Sequence, residues 1–180
     1  SGIQLLTLKN SGVKNIFGVD INKKAVQHCK RLGFNCIASD LFEAFNFSNI
    51  SNEFPPTRPK SHGKLKRKSS NKLKFNINRA KREIFPEKFD LIIFNPPYLP
   101  LDLREPLDSR IATTGGKKGS EMINKFLKQA KKHLAKNGKI FLVTSSLTKG
   151  LDFAGYGKKI ISRKKIFFEE LKILELTPEK

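Results

Sequence analysis

The sequence has few cysteines and no long apolar run. Its two cysteines, Cys29 and Cys36, form no CxxC pair, metal-ligand spacing or disulfide framework. This favours a reduced, cytoplasmic protein without a metal site. No stretch approaches the roughly 20 apolar residues that a membrane-spanning helix needs, and no signal peptide pattern is present, so we expect no membrane association.

Acidic residues are also scarce. The chain of 180 residues carries 36 Lys and Arg against 16 Asp and Glu, a net charge of +20. So large an excess favours a polyanionic partner, such as RNA, DNA, a ribosome or an acidic protein, although a solvated surface would carry the same charge. The length fits a single domain over residues 1–180.

The basic excess is concentrated in one segment, residues 46–86. Eleven Lys and Arg and no acid lie between Arg58 and Arg82. Blocks of like charge with Ser, Pro and Asn usually remain disordered. We predict a flexible insertion between two strands, serving either as an arm that contacts RNA or the ribosome or as a dispensable solvated loop.

The remaining sequence alternates between strand and helix patterns. Apolar strands are predicted at 15–21, 34–42, 89–94 and 139–147, with helices after Asn22 and over 119–136. Near-continuous apolar strands separated by helices indicate an α/β fold with a doubly wound, mostly parallel sheet. Residues 158–176 contain two further β segments, which predict an antiparallel C-terminal hairpin at the sheet edge.

Three of these strands end in a polar residue: Asp20, Asp40 and Asn95. The carboxyl ends of neighbouring parallel strands converge on one crevice. Asp20 is suited to accept hydrogen bonds from ribose hydroxyls. Asp40 could accept from an adenine amine while Leu41 or Phe42 packs against the base. Each acid alone is equally suited to cap a turn or a helix.

The motifs together resemble a known enzyme family. GVDIN, ASDLF and FDLIIFNPPYLP, followed by TTGGKKGSEMINKFLKQAKKHLAKNGKIFLV, are similar to class I S-adenosylmethionine-dependent methyltransferases with a Rossmann-like fold. More narrowly, they resemble the HemK-related protein-glutamine N5-methyltransferases of the short archaeal and eukaryotic branch. The combination of NPPY with a later GG(x)2G segment is the most specific part.

The resemblance implies a substrate, partners and a cofactor site. The methyl acceptor would be the glutamine of the GGQ loop of a peptide-chain release factor, in translation termination, and a small zinc-ribbon protein would bind as activator. The family's glycine-rich loop, DxGxGSG, follows a first strand, and we expect most of both to be missing here. The implied S-adenosylmethionine contacts are Ser1, Gly2, Asp20, Ile21, Asp40, Leu41, Phe42 and Asn95.

The NPPY segment, residues 95–98 and here called the NPPY loop, suits transfer to a planar nitrogen. Two prolines cannot donate to a sheet ladder, so the strand must stop before them. The Asn95 side-chain oxygen and the Pro96 carbonyl could each accept one N–H of an amide. Pro96 and Pro97 fix the backbone, and Tyr98 would form a wall of the pocket. Such positioning would aim a weakly nucleophilic nitrogen at the methyl group.

Two other functions remain open from the sequence. An adenine or guanine amine in RNA or DNA could occupy the same pair of acceptors, and the net charge of +20 would suit a polyanion. A non-catalytic, basic nucleic-acid-binding module on a methyltransferase fold would account for the incomplete glycine-rich loop. The GG(x)2G segment favours the protein substrate, and the intact NPPY loop favours an enzyme.

Overall fold

The computed structural model describes residues 2–45 and 86–179. They fall into two compact units that divide between Pro86 and Glu87. Ser1 and all of the predicted basic insertion except Pro86 lie outside the described residues. No helix among the described residues is both long and apolar enough to cross a membrane.

The first unit is a strand–helix–strand arrangement preceded by a helix. Its elements are α1 (Ile3–Asn10), β1 (Phe17–Asp20), α2 (Lys23–Arg31), β2 (Asn35–Ala38) and a 3₁₀ turn (Glu43–Phe45). β1 and β2 pair in parallel, as the sequence pattern predicts, and β2 is shorter than the predicted strand at 34–42.

Local signals in the sequence set the bounds of α2. The Asn22 side chain accepts hydrogen bonds from the backbone N–H groups of Lys24 and Ala25, at 2.9 and 3.3 Å, and so caps the first turn. Gly33 follows the helix with φ 82°, a conformation that glycine adopts without strain. The core of this unit consists of Val26, Cys29, Phe34 and Cys36, with Leu5 packed against it.

The second unit contains a four-stranded mixed sheet. Its elements are β3 (Phe89–Phe94), α3 (Leu107–Thr113), α4 (Glu121–Ala130), β4 (Leu134–Ser145), β5 (Tyr156–Ile166) and β6 (Glu169–Pro178). The strand order is β3-β4-β6-β5. β3 and β4 are parallel, whereas β6 is antiparallel to both β4 and β5. The predicted C-terminal hairpin is therefore confirmed, with β5 as the outer strand.

Helix α4 supplies the apolar layer of this unit. Its buried residues are Ile123, Phe126, Leu127 and Ala130. The Phe126 ring packs on that of Phe94 at the end of β3, with centroids 4.3 Å apart. The Tyr156 hydroxyl of β5 donates a 2.8 Å hydrogen bond to the Leu127 carbonyl. These contacts fix α4 on the sheet beside the strand that leads into the NPPY loop.

The helix predicted over 119–136 is shorter than expected. α4 ends at Ala130, a 3₁₀ turn covers Lys131–His133, and β4 begins at Leu134. Leu134 pairs with Phe89, and the pairing then shifts register, so that Asn137 and Gly138 lie within β4 and do not terminate the helix. Leu134 is an apolar residue four positions after Ala130, which fits a helical pattern, but its burial comes from pairing in the sheet.

Candidate functional site

The NPPY loop lies at the carboxyl end of β3. Asn95 is exposed, Pro96 is buried, and Pro97 and Tyr98 are half-buried. No hydrogen bond within the described part of the chain occupies the Asn95 side chain or the Pro96 carbonyl. Among the described residues, no donor therefore competes with an incoming N–H group for these two predicted acceptors.

The segment that precedes α4 holds the NPPY loop in place on one side. The Leu99 N–H donates to the Thr113 carbonyl, and the Gly115 N–H donates back to the Leu99 carbonyl, both at 2.9 Å. The Leu101 N–H donates to the Gly116 carbonyl at 2.9 Å. These three bonds fix the backbone directly after Tyr98.

Glycine is required at two positions of this contact. A Cβ atom on Gly115 would lie within 3.0 Å of the Pro97 carbonyl oxygen, and one on Gly119 would meet the Tyr98 carbonyl oxygen equally closely. Gly119 also has φ +83°, which disfavours any other residue. The glycine segment therefore packs directly against the NPPY loop and leads into α4, which starts at Glu121.

Residues that follow β4 hold the NPPY loop on the other side. The Thr148 hydroxyl donates a 2.7 Å hydrogen bond to the Tyr98 carbonyl. Ser146 in turn exchanges two hydrogen bonds with Glu170 of β6: its N–H donates to the Glu170 carbonyl and its hydroxyl accepts from the Glu170 N–H, both at 2.9 Å. The NPPY loop is thereby connected through polar contacts to the β5–β6 hairpin.

Tyr98 lies in an environment that keeps its phenol neutral. Partial burial, and next the negative charge of Glu169, raise the pKa of the Tyr98 hydroxyl above its ordinary value. One carboxylate oxygen of Glu169, Oε1, is buried and has no hydrogen-bond partner among the described residues. The sequence favours Glu169 and Glu170 as structural residues at the sheet edge and gives no indication of a role for Thr148, although Ser145, Ser146 and Thr148 are polar residues at or just after a strand end, as Asp20 is.

The predicted cofactor residues of the first unit cluster at the end of its own sheet. Asp20 is exposed, its Oδ1 accepts a 2.8 Å hydrogen bond from the Asn22 N–H, and its carbonyl accepts from the Ser39 N–H at 3.1 Å. Because β1 and β2 are parallel and Asp20 pairs with Ala38, Asp40 lies just beyond the same edge. Ile21 beside Asp20 is 64% exposed.

The other predicted cofactor residues differ in exposure. Leu41 is half-buried with φ +50°. The Phe42 ring is buried and packs on Phe45, with centroids 6.1 Å apart. Gly2 precedes α1 with φ 71°, and Ser1 lies outside the described residues. Among the predicted cofactor residues described in the first unit, Asp20 and Ile21 are therefore the exposed ones.

Comparison with known proteins identifies the class of the chain. The family model described as Eco57I restriction-modification methylase matches residues 14–177. A provisionally named protein N5-glutamine methyltransferase of Methanocaldococcus jannaschii is 30% identical over 183 aligned residues, which cover 97% of this chain and 75% of that protein. The chain belongs to the protein N5-glutamine methyltransferase family. This confirms the resemblance found in the sequence and the prediction of an enzyme.

A solved structure agrees with the fold of this methyltransferase. A chain in the structure of the E. cuniculi Mtq2–Trm112 complex, responsible for the methylation of the eRF1 translation termination factor, superposes with a TM-score of 0.55 at 19% identity. The match covers 98% of this chain and 79% of that chain. The likeness confirms the predicted α/β, Rossmann-like fold class.

Proposed function

We propose that this methyltransferase transfers a methyl group from S-adenosylmethionine to the side-chain nitrogen of the glutamine in the GGQ loop of a peptide-chain release factor. The observation that carries the proposal is the pair of acceptors at Asn95 and Pro96, which no described residue occupies and which lie on a loop whose backbone is fixed on both sides. The names of the matched proteins support it, since one is called a protein N5-glutamine methyltransferase and the other complex methylates a termination factor.

The chain's own groups would orient the acceptor. The Asn95 side-chain oxygen would accept one amide N–H and the Pro96 carbonyl would accept the other, which fixes the nitrogen and favours a more tetrahedral geometry at it. Neutral Tyr98 would pack against the flat amide group and exclude water. No strong general base is needed, because the proton can leave the nitrogen after transfer.

The residues of the first unit fit S-adenosylmethionine, which supplies an electrophilic methyl group on a sulfonium. Asp20 uses Oδ1 for its own turn, and no described residue donates a hydrogen bond to its Oδ2. Exposed Ile21 beside it offers an apolar surface for the adenine. We propose that Asp20 and Ile21, with Asp40 and Leu41 at the same edge, bind the adenosine, and that Ser1, Gly2 and Phe42 support that site.

We also propose a small zinc-ribbon activator as partner. The proposal is supported by the structural neighbour, which is a complex of two proteins, Mtq2 and Trm112. Co-purification of this chain with a zinc-ribbon protein from the same cell, and stimulation of transfer by it, would bear this out.

We further propose that the chain is a single methyltransferase domain and that its basic segment 46–86 contacts RNA or the ribosome. Deleting this segment in the same assays tests whether methyl transfer and the binding of RNA depend on it.

A second candidate acceptor is a nucleobase amine, favoured by the match to the Eco57I restriction-modification methylase model and by the net charge of +20.

Tritium transfer from labelled S-adenosylmethionine separates the two candidates. The protein is incubated with a GGQ-containing release factor, with a variant of that factor carrying Asn in place of the acceptor glutamine, and with total RNA and DNA. Label that appears only on the intact release factor supports the proposal. Label confined to nucleic acid replaces it with the second candidate.

A further inference from the structure

The turn between β5 and β6 exposes two adjacent aromatic side chains. Phe167 is 90% exposed and Phe168 is 85% exposed, which makes them the most exposed large apolar side chains among the described residues. Phe167 also has φ +52°, which is uncommon for a residue other than glycine. Paired exposed aromatic residues are typical of protein interaction sites, where they supply a rigid apolar contact.

This turn lies at the same end of the strands as the NPPY loop, although β3 and β5 are the two outer strands of the sheet. β3 and β4 are parallel, and β5 has the same direction because β6 is antiparallel to both β4 and β5. The carboxyl ends of β3 and β5 therefore face the same way. Hydrogen bonds connect the two ends: Glu170 pairs with Ser146, and Thr148, two residues later, bonds to the Tyr98 carbonyl.

Glu169 connects the turn to the candidate active site. It directly precedes Glu170, whose backbone is hydrogen-bonded to Ser146, and its negative charge contributes to the raised pKa of Tyr98. Its Oε1 is buried without a hydrogen-bond partner among the described residues. A buried acceptor left unpaired beside a ligand site gains a partner when a ligand brings an N–H group.

The charges around the turn decide which macromolecule it suits. Lys164 and Lys165 precede the two phenylalanines, and Glu169 and Glu170 follow them. Glu170 further pairs with Lys172 at 3.0 Å and Arg163 at 3.8 Å. The turn itself, residues 164–170, therefore carries two Lys and two Glu and no net charge, while Arg163 and Lys172 lie further along the two strands. Binding to a phosphate backbone requires a positive excess. The turn suits a protein surface better than a nucleic acid.

We propose that the β5–β6 turn, Phe167–Glu169, is the docking element for the protein that carries the acceptor glutamine. The two rings pack on an apolar surface of the release factor next to its GGQ loop, and Glu169 Oε1 accepts a hydrogen bond from an N–H of the same segment. This inference rests on the proposed function and extends it from the reacting amide to the recognition of the whole acceptor protein.

Steady-state kinetics with the intact release factor test the aromatic contact. The F167A/F168A variant should raise KM for the release factor about 10- to 100-fold, since truncating interface aromatics has effects of this size. The kcat at saturating acceptor and the affinity for S-adenosylmethionine should not change. F167L/F168L, which keeps an apolar surface, should retain most of the affinity. Ile161→Ala is the control, since it removes a 43% exposed apolar side chain in the middle of β5, away from the turn. It should leave KM for the release factor unchanged.

A second variant tests Glu169. Glu169→Gln keeps the size of the side chain and removes its charge, so KM for the release factor should rise severalfold because a charged acceptor is lost. The pKa of Tyr98 should fall towards its ordinary value, a readout that does not require turnover. It can be followed by the ultraviolet absorbance of the phenolate, because the sequence has only two tyrosines.

The outcomes separate this inference from the proposed function. An active wild type with an unchanged KM in F167A/F168A overturns the docking role and leaves the proposed function intact. A wild type that neither binds nor labels the release factor overturns both. If F167A/F168A instead loses affinity for a labelled single-stranded oligonucleotide while KM for the release factor stays the same, the turn binds nucleic acid and the inference is wrong.

Discussion

The Thr148 hydroxyl and the Tyr98 carbonyl form a 2.7 Å hydrogen bond between the segment after β4 and the NPPY loop. Gly119 approaches the same carbonyl from another direction, so closely that a Cβ atom would overlap with it. A single backbone oxygen is thus hydrogen-bonded by one flanking segment and closely approached by the other. The orientation of Asn95 and Pro96 depends on these supports as well as on the two prolines.

Removing the Thr148 hydroxyl should loosen the NPPY loop. Thr148→Val keeps the shape of the side chain but leaves the Tyr98 carbonyl without this donor, so the free energy of unfolding should fall by about 1–3 kcal/mol. Urea denaturation measures the loss, and kcat should decrease with it. Thr148→Ser restores the hydroxyl and should recover both values; equal losses in the Ser and Val variants would show that the hydrogen bond is not the cause.

Adding a methyl group to Gly119 should displace the NPPY loop. Gly119→Ala combines a positive φ with overlap on the Tyr98 carbonyl, so we expect destabilisation by about 3–5 kcal/mol and a large loss of kcat. Gly150→Ala is the matched control, since Gly150 has a similar φ of +78° but no atom closer than 3.5 Å to the added Cβ. Gly150→Ala should lower the free energy of unfolding by only about 1–2 kcal/mol. Thermal denaturation compares the two, and equal losses would rule out the overlap.

Asn95 should matter for methyl transfer more than for cofactor binding. Asn95→Ala removes one of the two amide acceptors while the Pro96 carbonyl and the backbone remain, so the transfer rate should fall about 10²–10⁴-fold. The affinity for S-adenosylmethionine should change by no more than about tenfold. Single-turnover labelling and calorimetry measure the two quantities. Asn137→Ala, at an exposed asparagine in β4, is the control; a fully active Asn95 variant would remove this residue from the mechanism.

Asp20 should contribute to cofactor affinity through its charge. Asp20→Ala should weaken S-adenosylmethionine binding by roughly ten- to a hundredfold, because a charged acceptor for paired hydroxyl donors is lost. Asp20→Asn keeps an oxygen that can accept from the Asn22 N–H and so preserves the turn. If the Asn variant binds the cofactor as tightly as the wild type in calorimetry, Asp20 supports only the turn.

Tyr156 should make stability fall at high pH. Burial raises the pKa of its hydroxyl to about 12, above the ordinary value of about 10. The unfolded state therefore loses this proton first, and the free energy of unfolding decreases as pH rises from about 10 to about 12. The difference between wild type and Tyr156→Phe, measured by urea denaturation across this range, isolates the effect. A difference that does not vary with pH would contradict it.

The sequence predicts the ends of helices and strands where local backbone chemistry sets them, and fails where a contact between distant residues sets them. Two prolines end β3, Asn22 caps α2 and Gly33 follows it, because each acts through local backbone chemistry. The end of α4 depends on Leu134 pairing with Phe89, a contact between distant residues that no local pattern encodes. The sequence does not reveal the effects of Thr148 and Glu169 for the same reason, since the hydrogen bond from Thr148 and the charge of Glu169 both act on Tyr98, which is distant in the sequence.

The outer strand β5 has a consequence for self-association. Its outer edge, which pairs with no other described strand, could extend the sheet with a second copy of the chain, as exposed edges do in aggregation. Five basic residues along the strand, Lys158, Lys159, Arg163, Lys164 and Lys165, are all exposed. A register shift between Ile160 and Ser162 also interrupts the regular edge. Two such edges would repel each other and fail to align, which protects a molecule with an aromatic turn at the end of this strand from edge-to-edge aggregation.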